Sequence, residues 1–590
     1  MCVLGVVLPI ILALLAVCAF SKHALASGVQ EKIELCAKGS LDKIKEAFEN
    51  GLLELDDKLN ALYVASSYNQ DPEVLRFLVL LGADVNFKDQ DGTTPLMSAA
   101  QCNANPKIIE ALVNLGAKVD DTNNFSATAL MYAAAANPSP EIIETFVKLG
   151  AKVDKTVFAF AAAGNKEPKV IETLVRLGAC IEERDNEGKT ALMRAAENNT
   201  EPAVIETLIK LGAKVDAKDG LGKTVLMYAA EKNREPKVIE TLVKHGAKLE
   251  DRDTLGKTAL IYAGLHNQTP EIVQELLKLG AEPSVKDNLG RTALMYASSQ
   301  NKASAVIDAL ISGGVDVAEC DNEGKNALMY ASLYNGEPKV IETLVKSGAK
   351  VDTKDKNGKD AMIYAAAANK NPAVVAALAR LGAALDSKDD MGRTPLEYAI
   401  IQEQKPMVIA TLIKCGANVN ERGKNGATPL MFIAASDKAE LVKPLINLGA
   451  DVEGKDDRGY TPLMWAVRFN DTPDMTIVLV YSGAKVDSRD NRGRTVLMHA
   501  ASATKDPKVI ATLIKLGAGI NDVDDDGNTP LIWCAMQSKT PDNISLLLQA
   551  KADAKIVNKA GKKAIDYAEE NEAIKGTNAY EALKKASSDA

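Results

Sequence analysis

A glycine recurs at a nearly constant interval through most of this chain. The interval is 34 residues, with one step of 33, at Gly188, Gly222, Gly256, Gly290, Gly324, Gly358, Gly392, Gly426, Gly459, Gly493, Gly527 and Gly561. Near-identical strings keep the same register, since EPKVIETLV begins at Glu167, Glu235 and Glu337. A period of this length is typical of a solenoid, in which each unit packs only against its neighbours. The 590 residues therefore need no single large core.

Each unit has the pattern of two short helices joined by a turn. In the unit that begins at Gly188, an apolar position at Leu192 is followed by small alanines, which allow neighbouring helices to pack closely. Asn199 is predicted to end this first helix in a left-handed conformation. Pro202 suits the first turn of the second helix, which is predicted to stop at Gly212.

These strings resemble the ankyrin repeat family. GKTALMRAA at Gly188, GKTVLMYAA at Gly222 and DGTTPLMSAA at Asp91 are similar to its opening motif, and LGAKVDAKD at Leu211 is similar to its closing loop. Two departures are systematic: Met193 and its equivalents replace the family's usual histidine, and the turn between helices carries one extra residue. The resemblance implies an all-α solenoid of about 16 units of 34 residues plus an N-terminal capping helix pair. It also implies a projecting loop, here called the finger, around each 34-spaced glycine, and a concave face of fingers and first helices.

The predicted boundaries follow the repeat pattern. Residues 27–57 are predicted to form the capping helix pair, residues 58–560 the repeat array, and residues 561–590 a C-terminal capping repeat. One unit near residues 154–187 is shortened, because the register advances by 28 rather than 34 between Ser126 and Asp154. We expect that unit to keep its helices and to lack its finger.

Residues 1–26 are typical of a signal peptide. Residues 3–20 form an uninterrupted apolar run, and Ala24-Leu25-Ala26 suits cleavage before Ser27. We therefore expect an exported protein, periplasmic or extracellular, with no membrane insertion after cleavage. The alternative is a membrane anchor formed by residues 3–20, since this run is almost long enough to span a bilayer.

Charge and residue usage disfavour two classes of function. The net charge of −9 argues against nucleic acid as a partner, because such binding relies on clustered Lys and Arg. His245, His266 and His499 fall in different units and at different repeat positions, so neither a catalytic triad nor a His-based metal site is predicted. We expect no enzyme and no cofactor.

One finger gives an alternative function. Asp522, Asp524 and Asp526 match the first half of a calcium-binding loop, but Trp533 stands where a bidentate carboxylate is needed. The alternative to a protein-binding scaffold is therefore a small-ligand or calcium-binding repeat protein that uses its acidic fingers.

Two sets of residues are candidates for binding a protein partner. The first is a row of cations that directly follow the finger glycines: Lys189, Lys223, Lys257, Arg291, Lys325, Lys359 and Arg393. An Asp lies four residues before each of them, so we favour a solvated, locally neutralised edge over a row that binds an acidic partner.

The second set lies nine and ten residues after the finger glycine, where the sequence varies between units: Leu265, His266, Leu333, Tyr334, Ile401, Arg468 and Phe469. Exposed apolar residues in a concavity are typical anchors, and the alternative is that they pad neighbouring first helices. The main hypothesis is an exported, monomeric scaffold that binds a protein through its concave face, centred on the units between Lys257 and Phe469.

Overall fold

The structure is a computed structural model that describes residues 27–53, 58–402, 406–423, 425–436 and 438–588. The predicted signal segment, residues 1–26, lies outside the described residues. The described residues form 34 α-helices and no extended strand, which confirms the all-α prediction. Within these ranges no helix combines the length and the apolar character needed to cross a membrane. The chain divides into two compact units, the first reaching Ala297 and including Ala303–Asp316, the second comprising Ser298–Lys302 and Val317 onward.

The first unit begins with the helices Ser27–Lys38 and Leu41–Glu49, and eight helix pairs follow. Its first helices are Lys58–Tyr68, Pro95–Cys102, Ala129–Ala136, Lys155–Gly164, Ala191–Asn198, Val225–Lys232, Ala259–His266 and Ala293–Gln300, the last of which ends in residues of the second unit. Its second helices are Pro72–Leu80, Pro106–Asn114, Pro140–Lys148, Pro168–Arg176, Pro202–Lys210, Pro236–Lys244, Pro270–Lys278 and Ser304–Ser312.

The second unit contains eight more pairs. Its first helices are Ala327–Tyr334, Ala361–Ala368, Pro395–Ile401, Pro429–Ala434, Pro462–Phe469, Val496–Ala503, Pro530–Gln537 and Ala564–Ala568. Its second helices are Pro338–Lys346, Pro372–Arg380, Pro406–Lys414, Val442–Asn447, Asp474–Tyr481, Pro507–Lys515, Pro541–Gln549 and Asn578–Ser588, and a 3-10 turn, Ala439–Leu441, precedes Val442–Asn447.

Within each unit, first helices pack against first helices and second helices against second helices. The first helix Val225–Lys232 shows why its packing is close, because Leu226, Ala229 and Ala230 are fully buried and two of the three are small. Thr224 starts this helix, and its Oγ1 accepts a hydrogen bond from Met227 N at 3.3 Å. Met227 Sδ in turn accepts from Thr224 N at 3.3 Å, so the methionine that replaces the family's histidine supplies a weak acceptor as well as bulk.

The asparagines that follow the first helices do not adopt the predicted left-handed conformation. Asn233 is extended, with φ −66° and ψ 149°, and it is buried. Its Nδ2 donates to Ala196 O and Asn199 O of the preceding repeat, both at 2.8 Å, and its Oδ1 accepts from Glu235 N at 2.9 Å. The prediction was wrong because the side chain pairs three buried backbone groups, and this requires extended backbone.

The same pair of donated bonds recurs through both units, at Asn103, Asn137, Asn165, Asn199 and Asn267 in the first and at Asn335, Asn369 and Asn571 in the second. We call this the asparagine ladder. Each of these asparagines ties its repeat to the one before it, which is the kind of nearest-neighbour interaction on which a solenoid depends.

Each finger is a tight turn held by its own backbone and by the next finger. Asp219 N donates to Lys223 O at 3.1 Å, and Thr254 N of the next finger donates to Leu221 O at 3.0 Å. Gly222 has φ +78°, and a Cβ there would lie 3.3 Å from the Cα of Asp253. The 34-residue glycine column therefore reflects both backbone conformation and the close approach of neighbouring fingers.

The shortened repeat passes from Gly150 to the helix Lys155–Gly164 with Asp154 at its N-cap. Asp154 Oδ1 accepts from Thr156 N and Val157 N, both at 2.9 Å, so the carboxylate caps the helix directly. Phe160 on this helix and Arg194 of the next repeat line a small pocket.

Candidate functional site

The finger cations lie in or beside the packed face of the repeats rather than on a solvated edge. Lys189 and Lys223 are only 7% and 8% exposed, and Lys257 and Arg291 are half-buried. In the second unit, Lys325, Lys359 and Arg393 are also half-buried. The expectation of a solvated edge is therefore wrong for the two buried lysines, and the other five lie partly within the protein.

Tyrosine rings explain this burial. Lys223 Nζ lies 4.2 Å from the ring centroid of Tyr228 in its own repeat and 4.3 Å from that of Tyr262 in the next. Lys257 Nζ lies 5.7 Å from the Tyr262 centroid and 4.7 Å from that of Tyr296. Both lysines thus contact the ring of their own repeat and the ring of the following one, at distances typical of cation–π interactions.

Finger aspartates hold the tyrosines in place. Asp253 Oδ2 accepts from Tyr262 OH at 2.8 Å, while its Oδ1 accepts from Leu255 N at 2.9 Å and from Lys257 N at 2.8 Å. Burial and the Asp253 carboxylate raise the pKa of Tyr262 above its usual range, so the hydroxyl remains a donor. We call this arrangement of finger Asp, finger cation and helix Tyr the cation–tyrosine ladder.

The second unit has its own cation–tyrosine ladder. Lys359 Nζ lies 5.9 Å from the Tyr364 centroid and 4.9 Å from the Tyr398 centroid. Arg393 lies 4.6 Å from the Tyr398 centroid and pairs with Asp389 at 3.0 Å. These cations stabilise the packing of neighbouring repeats, because their charged groups contact rings and carboxylates of the chain itself.

Buried carboxylates add to this network in the first unit. Lys189 Nζ lies 2.7 Å from Glu197 Oε2, and Glu197 also pairs with Lys232. Lys223 pairs with Glu231, and desolvation nevertheless lowers the pKa of Lys223. Because the charges are paired where they are buried, this part of the face is internally neutralised.

The second predicted set separates into two groups. The ninth position after the finger glycine points largely into the protein, since Leu265 is buried and Leu333 and Arg468 are half-buried. The tenth position is exposed, with Tyr334 at 64% and Phe469 at 58%. Consecutive residues of an α-helix are rotated by about 100° around its axis, so the ninth residue can face the protein while the tenth faces solvent.

Ile401 and His266 complete this set, and both are exposed. Ile401 is a ninth-position residue, yet it is 40% exposed because it is the last residue of the helix Pro395–Ile401. In the first unit, His266 is exposed at the tenth position, and its Nε2 lies 3.6 Å from Glu231 Oε1. Desolvation lowers the pKa of His266.

Aromatic residues cluster around Phe469. The Trp465 and Phe469 ring centroids are 5.3 Å apart, and those of Phe432 and Trp465 are 5.9 Å apart. Trp465 Nε1 donates to Asp456 Oδ2 at 3.1 Å, which fixes the indole. Arg468 lies 5.4 Å from the Tyr460 centroid, and its NH1 is 3.3 Å from His499 Nδ1.

The aromatic column was missed at the sequence level. Tyr228, Tyr262, Tyr296, Tyr364 and Tyr398 each lie six residues after a finger glycine, and Phe432, Trp465, His499 and Trp533 occupy the same position in later repeats. The column was visible in the sequence, but its pairing with the cation column depends on contacts between residues 5 and 39 positions apart.

The acidic finger proposed for calcium is occupied by internal hydrogen bonds. Asp524 Oδ1 accepts from Asp526 N at 3.0 Å and from Asn528 N at 2.8 Å, and its Oδ2 accepts from Trp533 Nε1 at 2.7 Å. Asp522 pairs with Arg489 at 3.3 Å. In the part of the chain that the structure describes, no group of three or more His, Cys, Asp or Glu side chains is placed to hold a metal ion.

The repeats match a known family along most of their length. A family model of ankyrin repeats in three copies matches residues 62–157, 130–219, 203–287, 260–355, 333–422, 405–490, 470–560 and 497–579. No curated protein matches the chain. With stacked helix pairs, finger turns and family matches from residue 62 to residue 579, the chain belongs to the ankyrin repeat family.

Proposed function

We propose that this protein is a non-catalytic scaffold that binds a protein partner through exposed side chains at the ends of its first helices. Ankyrin repeats generally serve as protein-interaction scaffolds and are generally non-catalytic. The proposed contact surface in the second unit comprises Tyr334, Ile401 and Phe469. We call these three residues the anchor row.

The observation that carries this proposal is the exposure of large apolar side chains beside a face whose polar groups are already paired. Tyr334 stacks on Tyr330 with ring centroids 6.4 Å apart, so one face of its ring contacts the first helix of its own repeat. Aromatic side chains are enriched among the residues that contribute most to binding at protein interfaces. We assign the finger cations mainly to the cation–tyrosine ladder, so only their exposed portions are left to contact a partner. These cations are Lys257, Arg291, Lys325, Lys359 and Arg393.

A matched pair of tyrosines tests this surface. Tyr481 is 77% exposed on the second helix Asp474–Tyr481 of the same unit, so it controls for loss of an exposed ring. The full chain and its Y334A, F469A and Y481A variants are used to capture a partner from an extract of the source cells. Y334A and F469A should each weaken recovery of the same partner about tenfold or more, and Y481A should leave it unchanged. Equal recovery by all four proteins would refute the anchor row.

We also propose that the chain is exported, periplasmic or extracellular, and that it is cleaved before Ser27. The apolar run at residues 3–20 and the small residues Ala24 and Ala26 support this proposal. Amino-terminal sequencing of the protein recovered from its natural compartment should give Ser27 as the first residue. Recovery of residues 1–26 in a membrane fraction would instead favour the anchor.

A further inference from the structure

One repeat lacks every side chain of the cation–tyrosine ladder. In the repeat around Gly426, Gly423 replaces the finger Asp, Ala427 replaces the cation and Phe432 replaces the tyrosine. A Cβ at Gly423 would lie 2.1 Å from Glu397 Oε1, so an aspartate there would require the buried Glu397 side chain to move. We call residues 423–447 the interrupted repeat.

The ladder indicates what the interrupted repeat is missing. In the same unit, Lys359 lies over the ring of its own repeat, Tyr364, and over that of the next, Tyr398. A cation at position 427 would by the same register serve the rings of Phe432 and Trp465. Those two rings contact each other instead, with an interplanar angle of 62°.

No lysine or arginine among the described residues lies over the rings of Phe432, Trp465 or Phe469. Further along the same unit, the ring of Trp533 is 5.4 Å from Arg494. Trp465 and Trp533 are both half-buried, and each donates Nε1–H to the Asp of its own finger. The ring of Trp533 contacts a cation of the chain, whereas the ring of Trp465 contacts the rings of Phe432 and Phe469.

We propose that Phe432, Trp465 and Phe469 bind a cationic side chain, arginine or lysine, from a basic segment of the protein partner. This inference rests on the proposed function, because Phe469 belongs to the anchor row. The aromatic column contacts cations in the intact repeats of both units, so its chemistry is demonstrated within the chain. The charge of the chain agrees, since Asp474, five residues after Phe469 in the sequence, is exposed and the net charge is −9.

The test uses tryptophan fluorescence, because the chain has only two tryptophans. In a full-length W533F variant, Trp465 is the sole tryptophan, and circular dichroism checks that the fold is retained. The probes are acetyl-Gly-Arg-Gly-amide and the same peptide with neutral citrulline in place of arginine, titrated at constant ionic strength. The arginine peptide should change Trp465 emission saturably with a dissociation constant at least about threefold lower than that of the citrulline peptide. Equal responses to the two peptides would overturn the proposal.

A lysine substituted at Ala427 provides the most direct test of the proposal. In the W533F background, A427K should supply the missing cation and abolish the response to the arginine peptide, whereas F469A should weaken it about threefold. An A427K protein that is folded and still binds the peptide as before would contradict the assignment. Lys424 lies outside the described residues, and K424A tests whether it competes: unchanged peptide affinity supports a partner's cation, and increased affinity would overturn it.

The reciprocal experiment uses Trp533. A W465F variant keeps Trp533 with Arg494 over its ring and should show no saturable response to either peptide. Adding R494A should expose the ring and create a response to the arginine peptide alone. A response of Trp533 while Arg494 is present would show that the effect is nonspecific and would refute the proposal.

The proposed function and this inference can fail separately. If F469A abolishes partner capture while the arginine and citrulline peptides behave alike, the anchor row stands and the cationic chemistry is wrong. If the arginine peptide binds Trp465 specifically while F469A and Y334A leave partner capture intact, the anchor row is wrong.

Discussion

The repeats around Gly222 and Gly256 and the interrupted repeat around Gly426 use the same architecture with different chemistry. In the first two, finger carboxylates, cations and tyrosine rings satisfy one another, and Asn233 ties the backbone of consecutive repeats together. In the interrupted repeat, Gly423, Ala427 and Phe432 replace the finger carboxylate, the cation and the tyrosine. Asp437 replaces the asparagine, and it lies outside the described residues.

The helices of the interrupted repeat are also shorter. Pro429–Ala434 has 6 residues where Val225–Lys232 has 8, and the second helix is reduced to Val442–Asn447 after a 3-10 turn. The interrupted repeat keeps its place in the stack through its buried apolar residues, such as Leu430 and Leu445, although its helices are shorter than those of the intact repeats. Where the ladders stop, aromatic surface is left for other contacts.

The largest effect is expected from breaking the asparagine ladder where it is complete. Asn233→Ala removes three hydrogen bonds and leaves buried backbone groups without partners, which should cost about 3 kcal/mol of unfolding free energy. Asn470→Ala, next to the interrupted repeat, removes the bond from Asn470 Nδ2 to Ala434 O and should cost about 1 kcal/mol. Urea denaturation followed by circular dichroism measures both. Equal costs would contradict the distinction between intact and interrupted repeats.

A smaller effect is expected from removing one finger carboxylate of the cation–tyrosine ladder. Asp253→Ala removes the acceptor of two backbone N–H groups and of Tyr262 OH, and it should cost about 2 kcal/mol. Asp471→Ala, at an exposed position beyond the ladder, is the control and should change the free energy of unfolding by less than about 0.5 kcal/mol. If both variants unfold at the same urea concentration as the parent, the cation–tyrosine ladder does not contribute to stability.

The histidine of the aromatic column should make stability depend on pH. His499 is buried, its Nε2 lies 2.9 Å from Asp490 Oδ2, and desolvation lowers its pKa. Because the unfolded chain then binds a proton more readily than the folded one, stability should fall as the pH drops below about 6.5, by at most about 1.4 kcal/mol per pH unit. His499→Tyr restores the usual residue of the column and should reduce this slope by the contribution of His499. Urea titrations at pH 7 and pH 5 measure it, and an equal slope in both proteins would contradict the assignment.

The sequence predicted the fold well because the fold depends on local and periodic signals. Leu226, the alanines beside it and Gly222 act through burial and backbone conformation within one unit, and these can be recognised at a fixed spacing. The roles of Asn233 and Lys223 were predicted wrongly because their partners lie 34 to 39 residues away and on different elements. The pattern of either residue predicts a turn or an exposed position, but Asn233 bonds backbone carbonyls of the preceding repeat and Lys223 contacts a tyrosine ring of the following one.

The candidate site was predicted only in outline for a related reason. Tyr334 and Phe469 were recognised because they interrupt a uniform column with exposed aromatic residues. Trp465 and Phe432 were not, since they occupy a column that is aromatic in most repeats, and their significance appears only when the absent cation at Ala427 is considered. The missing cation of the interrupted repeat can be recognised only when the cation–ring contacts of the neighbouring repeats are known.

Lysine methylation of the folded protein, read by mass spectrometry, tests most directly whether the finger cations of intact repeats are internal. Lys189 and Lys223 lie buried against tyrosine rings, while Lys210 is 71% exposed on a second helix of the same unit. Lys189 and Lys223 should remain unmodified when Lys210 is fully methylated, and all three lysines should react alike in urea. Modification of Lys189 and Lys223 as fast as Lys210 in the folded protein would show that they face solvent, and the ladder would have to be abandoned.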